Sequence, residues 1–212
     1  MADRRPGYDA AKRLIDLAGS AILLAVFAPL FAAVAVAIKL DSPGPVMFRQ
    51  IRVGRRGRPF RMVKFRTMLH GADESFLTEH LKRLAELGED AGAEPAVLRI
   101  EDDPRVTRVG RWLRKWSLDE LPNLWNVFTG SMSLVGPRPL VPDEIEIMGE
   151  GSLPRLTVKP GITGLAQVAG RDLITIDERT RHDLDYVRRR SLRLDLEIMV
   201  DTVRAVFRQP GA

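Results

Sequence analysis

Two adjacent carboxylates, Asp119 and Glu120, lie in the stretch of sequence best suited to chemistry, Ser117-Leu118-Asp119-Glu120-Leu121-Pro122-Asn123. Ser117 and Glu120 fit a capping box at the start of a helix, which would be a purely structural role. With Asp119 as the N-cap instead, Pro122 falls in the first helical turn, where proline is tolerated. In that register, free backbone N–H groups would keep the Asp119 carboxylate ionised.

The residues around Asp119 indicate what such a carboxylate could do. Arg111, Arg114 and Lys115 precede it closely. An ionised carboxylate among cations can act as a nucleophile toward a phosphate or as a ligand of magnesium. The chain has no Cys, which excludes cysteine nucleophiles and disulfides, and its 3 His are scattered, which disfavours a histidine-built metal site.

Arginine is the dominant cation of this sequence. There are 27 Arg and 6 Lys, and the formal net charge is +5. Arginine pairs bidentately with phosphate, so an anionic partner is one explanation, and the codon bias of a GC-rich genome is another. Arg138 lies between Pro137 and Pro139, which limit its backbone freedom. Such a fixed arginine suits phosphate binding, although a rigid surface turn would look the same.

The elements that must position these residues begin with an apolar run, Leu17–Ile38, which contains no charged residue. It is long enough for a membrane helix, and longer than the apolar region of a signal peptide. Pro29 lies near its middle and predicts a break, with Leu17–Ala28 on one side and Leu30–Ile38 on the other. As a helix, Leu17–Ala28 would be about 18 Å long, which is shorter than the roughly 30 Å hydrocarbon core of a membrane.

The flanks of this run favour a re-entrant helix. Lys12 and Arg13 precede the run, Lys39 follows it, and no acidic residue occurs between Ser42 and Ala72. Because cytoplasmic flanks are enriched in Lys and Arg, a spanning helix would place one basic flank on the wrong side. A helix bent at Pro29 would keep both basic flanks on the cytoplasmic side. The alternative is an ordinary kinked span.

The remaining pattern predicts an α+β fold that is mainly helical, with a β-hairpin. Val46–Val53 and Phe60–Thr67 flank a glycine-containing loop and read as a hairpin with mostly arginine on its outer face, beside the membrane. Further helices are predicted over three stretches, Phe76–Leu87, Val106–Trp116 and Arg181–Phe207. The three Trp suit either a membrane interface or a core. We divide the chain into a membrane-associated segment, residues 1–41, and a cytoplasmic catalytic domain, residues 42–212.

Taken together, the motifs make the chain resemble the bacterial sugar transferases, the monotopic polyprenol-phosphate phosphoglycosyl transferases. The resemblance covers about residues 10–205 and is carried by the following motifs, which occur in the family's order: Lys12-Arg13-x-x-Asp16, the proline-interrupted apolar run, Lys64-Phe65-Arg66-Thr67-Met68, Asp103-Pro104-Arg105-Val106-Thr107, Leu113-Arg114-x-x-Ser117-Leu118-Asp119-Glu120-Leu121-Pro122, Met132-Ser133-Leu134-Val135-Gly136-Pro137-Arg138-Pro139 and Lys159-Pro160-Gly161-Ile162-Thr163-Gly164-Leu165-Ala166-Gln167-Val168-x-Gly170-Arg171.

The resemblance implies an enzyme that moves a sugar phosphate from a UDP-sugar to polyprenol (undecaprenyl) phosphate and releases UMP. Asp119 would attack the sugar-bearing phosphate, form a covalent intermediate and contact Mg²⁺, and Glu120 would assist at the metal or in proton transfer. The implied phosphate-binding residues are Lys64, Arg66, Arg105, Arg114 and Arg138. The implied location is the cytoplasmic face of the bacterial inner membrane, with membrane lipid and no nucleic acid as a partner, in the first membrane step of polysaccharide or glycoconjugate assembly.

The sequence departs from the family pattern at two positions. Ala28 stands before the membrane proline where Ser is frequent, and Asn123 ends the catalytic motif where Gln is frequent. Many relatives carry a preceding bundle of spanning helices, so this chain is either a minimal enzyme or a shortened one. No motif selects the sugar or an oligomeric state. A different class of function, a membrane-anchored basic binding module without catalysis, would explain the apolar run and the arginines but not Asp119-Glu120.

Overall fold

The computed structural model of the chain describes residues 5–72, 103–170 and 174–208. The predicted helix Phe76–Leu87 lies outside these residues. Seven α-helices are described: α1 Pro6–Asp41, α2 Arg108–Lys115, α3 Leu124–Thr129, α4 Pro142–Met148, α5 Leu165–Ala169, α6 Ile176–Arg189 and α7 Leu192–Arg208. Four strands accompany them: β1 Met47–Val53, β2 Pro59–Phe65, β3 Ser133–Val135 and β4 Gly161–Thr163. Shorter 3₁₀ helices cover Arg55–Gly57, Leu118–Asn123 and Glu150–Thr157. The mainly helical fold with a small antiparallel sheet is therefore confirmed.

The first helix, α1, runs without interruption through Pro29, so the predicted division into two separate helices is wrong. Proline removes one backbone hydrogen bond, but the residues on both sides keep helical geometry, as they do in many membrane helices. The helix has 36 residues, or about 54 Å at ~1.5 Å per residue. By length and composition it could cross a membrane, and only 11% of its most apolar window is buried inside the protein.

Both ends of α1 are attached to the rest of the protein. Near its start, Arg13 donates to the carbonyl oxygens of Val127 and Phe128 at 2.7 and 2.8 Å. Near its end, the Asp41 carboxylate accepts from the backbone N–H of Val109 at 3.0 Å. Apolar packing strengthens this second attachment, where the buried residues Val34, Ile38, Phe65 and Leu113 form one core cluster. The two ends are thus held against one body of structure.

The predicted hairpin is confirmed, with boundaries within a residue or two of the expected ones. Strands β1 and β2 pair antiparallel from Met47 opposite Phe65 to Val53 opposite Pro59. Arg56, in the connection, has a φ of 60°, a left-handed conformation that is unusual for a residue with a side chain. The prediction of an outer face lined almost wholly by arginine is wrong for Arg52, which is buried against the carbonyl of Pro139.

A second, unpredicted sheet lies beneath the hairpin. Strands β3 and β4 pair in parallel, with Ser133 opposite Gly161 and Val135 opposite Thr163. Glycine is required at position 161, because a Cβ there would collide with the backbone of Gly136. The sheet packs on a core cluster formed by Val135, Tyr186, Leu194 and Ile198, which fixes the segment that follows β3.

Helices α2, α6 and α7 overlap the stretches in which helical patterning predicted them, with two differences. Helix α6 begins at Ile176, five residues before the predicted start at Arg181. The stretch Arg181–Phe207 contains two helices that are separated at Arg190 and Ser191. Helix α2 starts at a Thr107 side chain that accepts from the backbone N–H of Gly110 at 3.0 Å. Trp112 is 50% exposed and Trp125 is 55% exposed, which fits a membrane interface better than a core.

Candidate active site

The Asp119-Glu120 pair lies on a 3₁₀ helix that links α2 to α3. Ser117, just before it, adopts a left-handed backbone with a φ of 54° and makes no side-chain capping hydrogen bond. The 3₁₀ helix then runs from Leu118 to Asn123, directly into α3. Ser117 therefore occupies the N-cap position, but the predicted capping box is wrong because its side chain makes no capping hydrogen bond, and the register with Asp119 as N-cap is wrong. The two carboxylates lie in the first turn of the 3₁₀ helix.

Glu120 lies close to cationic side chains from two other parts of the chain. Its Oε1 lies 2.6 Å from the Nζ of Lys64 on β2 and 3.9 Å from the Nη1 of Arg138, which follows β3. The side chains of Glu120 and Arg138 are 26% and 32% exposed, so a ligand can reach them. Three segments that are distant in sequence thus bring a carboxylate and two cations together at an accessible surface.

The two carboxylates differ in their pKa values. Burial raises the pKa of Asp119 to about 6, with the charge of Glu120 adding to the rise and those of Lys64 and Arg114 opposing it. Burial acts in the same direction on Glu120, but the charges of Lys64 and Arg138 outweigh it and lower its pKa to about 2. Burial, rather than the backbone N–H groups expected from the sequence, thus has the largest effect on the pKa of Asp119. Both groups still carry charge at neutral pH.

The other predicted phosphate-binding arginines lie at different places. Arg114, on α2, is near enough to influence Asp119, and its Nε donates to the Oγ1 of Thr67 at 2.9 Å. Arg66 is buried and donates to the backbone carbonyls of Ser42 and Pro43, after the end of α1. Arg105 pairs bidentately with Asp103. The structure therefore groups Lys64, Arg114 and Arg138 with the carboxylates and gives Arg66 and Arg105 contacts within the protein.

Two amide side chains beside Glu120, the buried Asn123 and the half-buried Gln167, did not enter the sequence-based site. Asn123 and Gln167 line the same small cavity as Glu120, Lys64 and Arg138. Both the Oδ1 of Asn123 and the Oε1 of Gln167 are buried without a hydrogen-bond donor. Each amide lay within a motif that supported the resemblance, but a single sequence does not show which polar residues point inward. Unsatisfied buried oxygens are costly, and a ligand donor or a cation would satisfy them.

The oxygen donors of this site fit the magnesium ion that the resemblance implies. Among the described residues, no group of three or more His, Asp or Glu forms a protein-only metal centre. Magnesium is commonly held by one or two carboxylates together with substrate phosphates. Asp119 and Glu120, with the unsatisfied amide oxygens nearby, supply that kind of donor set. The residues present are therefore compatible with a magnesium ion that would be held jointly by these protein oxygens and by the phosphates of a diphosphate.

A buried ion pair lies next to the backbone of Arg138. Arg155 and Asp183 contact each other, and their side chains are 2% and 1% exposed. Arg155 also donates to the backbone carbonyl of Arg138 at 3.0 Å. Burial raises the pKa of Asp183 and lowers that of Arg155, so each charged form depends on the other. The motif Pro137-Arg138-Pro139 is thus positioned by a charge pair as well as by its prolines.

Comparison with known proteins shows which family the chain belongs to. The bacterial sugar transferase family matches residues 7–209. The exopolysaccharide production protein ExoY of Rhizobium meliloti is 39% identical over 209 residues, covering 98% of this chain and 90% of that protein. The UDP-glucose:undecaprenyl-phosphate glucose-1-phosphate transferase of Caulobacter vibrioides is 41% identical over 98% of this chain and 74% of its own length.

A third relative differs in length and in the sugar that it is named for. The undecaprenyl-phosphate galactose phosphotransferase of Salmonella typhimurium is 41% identical over 95% of this chain, which spans only 41% of that protein. The chain belongs to the bacterial sugar transferase family and is a transferase. This membership favours catalysis over the alternative of a non-catalytic basic module.

Proposed function

We propose that this chain is a phosphoglycosyl transferase, which moves a sugar 1-phosphate from a UDP-sugar to polyprenol (undecaprenyl) phosphate. The observation that carries the proposal is the accessible cluster of Glu120 with Lys64 and Arg138, close enough to Asp119 for Lys64 and Glu120 to influence its pKa. A diphosphate bound at this cluster would meet both the proposed nucleophile and cations that could support it. The names of the relatives, which include exopolysaccharide production and undecaprenyl-phosphate sugar transfer, support the same class of reaction.

The first half of the proposed reaction forms a covalent intermediate. An oxygen of the Asp119 carboxylate attacks the sugar-bearing phosphorus of the UDP-sugar. The bond from that phosphorus to the bridging oxygen breaks, and the oxygen leaves with UMP. Lys64, Arg114 and Arg138 would stabilise the charge on the phosphate oxygens during this step. The reaction leaves a phosphosugar joined to Asp119 as an acyl phosphate.

The second half returns the enzyme to its starting state. A phosphate oxygen of polyprenol phosphate attacks the same phosphorus, and the bond from phosphorus to Asp119 breaks. The products are polyprenol diphosphosugar and a free carboxylate. Because its pKa is lowered to about 2, Glu120 stays ionised, and its proposed role is to hold Lys64 and Arg138 in place. Asp119 would hold Mg²⁺ together with the substrate phosphates, and the chemistry a bound Mg²⁺ supplies is neutralisation of the diphosphate charge.

A screen of UDP-sugars with polyprenol phosphate tests this proposal. Detergent-solubilised enzyme is incubated with each UDP-sugar, Mg²⁺ and acceptor, and UMP release is measured. We expect at least one UDP-hexose or UDP-acetamido sugar to release UMP and to give a polyprenol diphosphosugar. Release of UDP rather than UMP with any of these donors would contradict phosphosugar transfer, because it would indicate transfer of the sugar alone.

Replacing Arg138 with Lys is expected to reduce turnover almost as much as replacing it with Ala. Arginine binds phosphate through a planar fork of donors, whereas lysine provides a single point charge. Loss of a charged hydrogen bond worth about 1.5–3 kcal/mol predicts turnover about 10–100-fold lower. UMP release under saturating substrates measures the effect, and Arg58→Lys on the hairpin connection is the matched control. Near-normal turnover of Arg138→Lys would assign Arg138 a general electrostatic role.

We further propose that α1 is a re-entrant membrane helix, bent at Pro29, with both ends on the cytoplasmic face of the bacterial inner membrane. Its two ends are tied to the same body of structure, through Arg13 at one end and Asp41 at the other. A straight helix crossing the bilayer would carry one of these ends away from its partners. Sharp bends in helices occur mainly at proline, and Pro29 lies between the two attachments.

Cysteine labelling tests this topology, and the natural absence of Cys gives a clean background. We expect cysteines introduced by Gly7→Cys and Pro45→Cys to react with an impermeant maleimide from the same side of oriented vesicles. Gly7 has open space for a side chain, and Pro45 is exposed. Arg58→Cys marks the side of the catalytic domain. Labelling of Gly7→Cys and Pro45→Cys from opposite sides would demonstrate a spanning helix.

A further inference from the structure

A second basic cavity lies away from the carboxylate pair, beside the first turns of α1. Its volume is about 330 Å³. Six of its lining residues are cationic: Lys12, Arg13, Arg55, Arg56, Lys159 and Arg190. The two acidic residues are Asp9, which is exposed, and Asp16, whose carboxylate accepts from the side chain of Ser133 and the backbone of Leu134. The cavity therefore carries an excess of positive charge.

Four of these cations have partners within the protein. Lys12 pairs with Asp195 at 2.8 Å, and Arg13 donates to two carbonyl oxygens at the end of α3. The Nε of Arg55 donates to the carbonyl of Thr157 at 3.0 Å, and Arg190 donates to the carbonyl of Val187 at 2.5 Å. Carbonyl oxygens do not neutralise the guanidinium charges of Arg13 and Arg55, which strengthens the positive potential of the cavity.

Lys159 differs from the four cations described above, because its ammonium group has no such partner among the described residues. It is half-buried, and within the described part of the chain its ammonium group makes no hydrogen bond or ion pair. Burial, followed by the charges of Arg13 and Arg55, lowers the pKa of Lys159, while Asp16 opposes this shift. An ammonium held among cations without a partner is unfavourable, and a bound anion would remove that cost.

The cavity is separate from the carboxylate site, because the two cavities share no lining residue. Ser133 and Lys159 line the basic cavity, whereas Met132 and Gly161 line the small cavity beside Glu120. The residues Tyr8 to Asp16 immediately precede the apolar stretch of α1. The cavity therefore opens where the proposed membrane helix would enter the lipid headgroups.

We propose that this cavity is a second anion site, which binds a phosphate group through Lys159 and Arg56. Arginine provides a planar set of N–H donors and lysine provides a compact positive charge, and together these suit a phosphate group. The volume is sufficient for a phospholipid headgroup. The phosphate could be carried by an anionic phospholipid or be free in solution. The lipid source rests on the proposed membrane placement of α1, whereas the anion site itself does not.

The test compares Lys159→Gln with Arg58→Gln, an exposed arginine of the same hairpin connection that does not line the cavity. The full chain in detergent is titrated with phosphatidylglycerol or with phosphatidylcholine of matched chains, and bound lipid is measured by native mass spectrometry. We expect Lys159→Gln to weaken phosphatidylglycerol binding about tenfold, toward the level of phosphatidylcholine, and Arg58→Gln to match the wild type.

A second arm uses inorganic phosphate and the midpoint of thermal unfolding. If phosphate stabilises the wild type and Arg58→Gln but not Lys159→Gln, and phosphatidylglycerol shows no preference, the anion is a soluble phosphate. Arg56→Gly provides a second variant, because glycine keeps the left-handed conformation at that position while removing the cation. The proposal is overturned if Lys159→Gln and Arg56→Gly both match the wild type in both arms. Sugar transfer is not the readout, so this failure would leave the proposed function intact.

Discussion

Replacing Asp119 with Asn is expected to abolish both UMP release and sugar transfer. An amide cannot displace UMP from phosphorus, and it cannot balance the charge of the surrounding cations. The positive charges of Lys64 and Arg114 both act on the Asp119 carboxylate, and in the variant these charges would remain without the carboxylate that balances them. Loss of the nucleophile should lower turnover by more than the ~10²–10⁴-fold that is typical of losing an acid–base group. The measurement is UMP release with the donor identified by the screen.

The same variant distinguishes a covalent intermediate from direct transfer. Wild-type enzyme with Mg²⁺ and UDP-sugar, but no acceptor, should release at most one UMP per chain and retain a phosphosugar at Asp119. The adduct should be labile to hydroxylamine, as acyl phosphates are, and be absent from Asp119→Asn. Asp201→Asn is the matched control, because Asp201 forms an exposed ion pair with Arg204 on α7. Exchange of UMP with UDP-sugar by Asp119→Asn would show that another group is the nucleophile.

Replacing Asp183 with Asn is expected to cause the largest loss of stability among single substitutions of charged residues. It would leave the guanidinium of Arg155 buried without its counter-charge. Breaking a buried ion pair by removing one partner typically costs about 3–5 kcal/mol. Asp185→Asn on the same helix is the control, because Asp185 pairs with Arg189 at an exposed surface, where ion pairs contribute about 0–1 kcal/mol. Unfolding by denaturant in detergent micelles measures both variants.

A double substitution separates the structural part of this pair from its part in catalysis. Arg155→Met combined with Asp183→Leu removes both charges and should recover much of the lost stability. It should not recover full turnover, because the backbone carbonyl of Arg138 loses the donor that Arg155 provides. If Asp183→Asn were no less stable than Asp185→Asn, the buried pair would have no structural role. Full turnover of a stable double variant would show that Arg138 needs no support from Arg155.

The parts of the structure that could be predicted from sequence are those with a regular pattern. The hairpin followed from two runs of β-branched, aromatic and basic residues around a glycine-containing loop, and α2 followed from helical spacing, because each pattern extends over seven or more residues. The parallel strands β3 and β4 have three residues each, too few for any alternation to be recognised. Their pairing depends on close contact between glycine backbones, which no local pattern reveals.

The candidate site was predicted in its residues but not in its geometry. Asp119 and Glu120 were identified from their neighbours in sequence, whereas their grouping with Lys64 and Arg138 depends on folding. The predicted capping box is wrong because Ser117 adopts a left-handed backbone conformation and its side chain makes no capping hydrogen bond. Arg66 was expected to contact phosphate, but tertiary structure placed carbonyl oxygens within its reach.

The attachment of α1 at both ends has a consequence for the order of events during synthesis. The residues at its start bond to the last helix, where Tyr8 and Lys12 both donate to Asp195 at 3.0 and 2.8 Å. On the ribosome, α1 emerges first and Asp195 emerges more than 180 residues later. The apolar helix would therefore partition into the bilayer long before its polar partners exist, and the domain would close only after α7 has been synthesised. Such late pairing between segments so far apart in sequence makes folding slow, and it makes the newly inserted helix a substrate for quality-control proteases until α7 has formed.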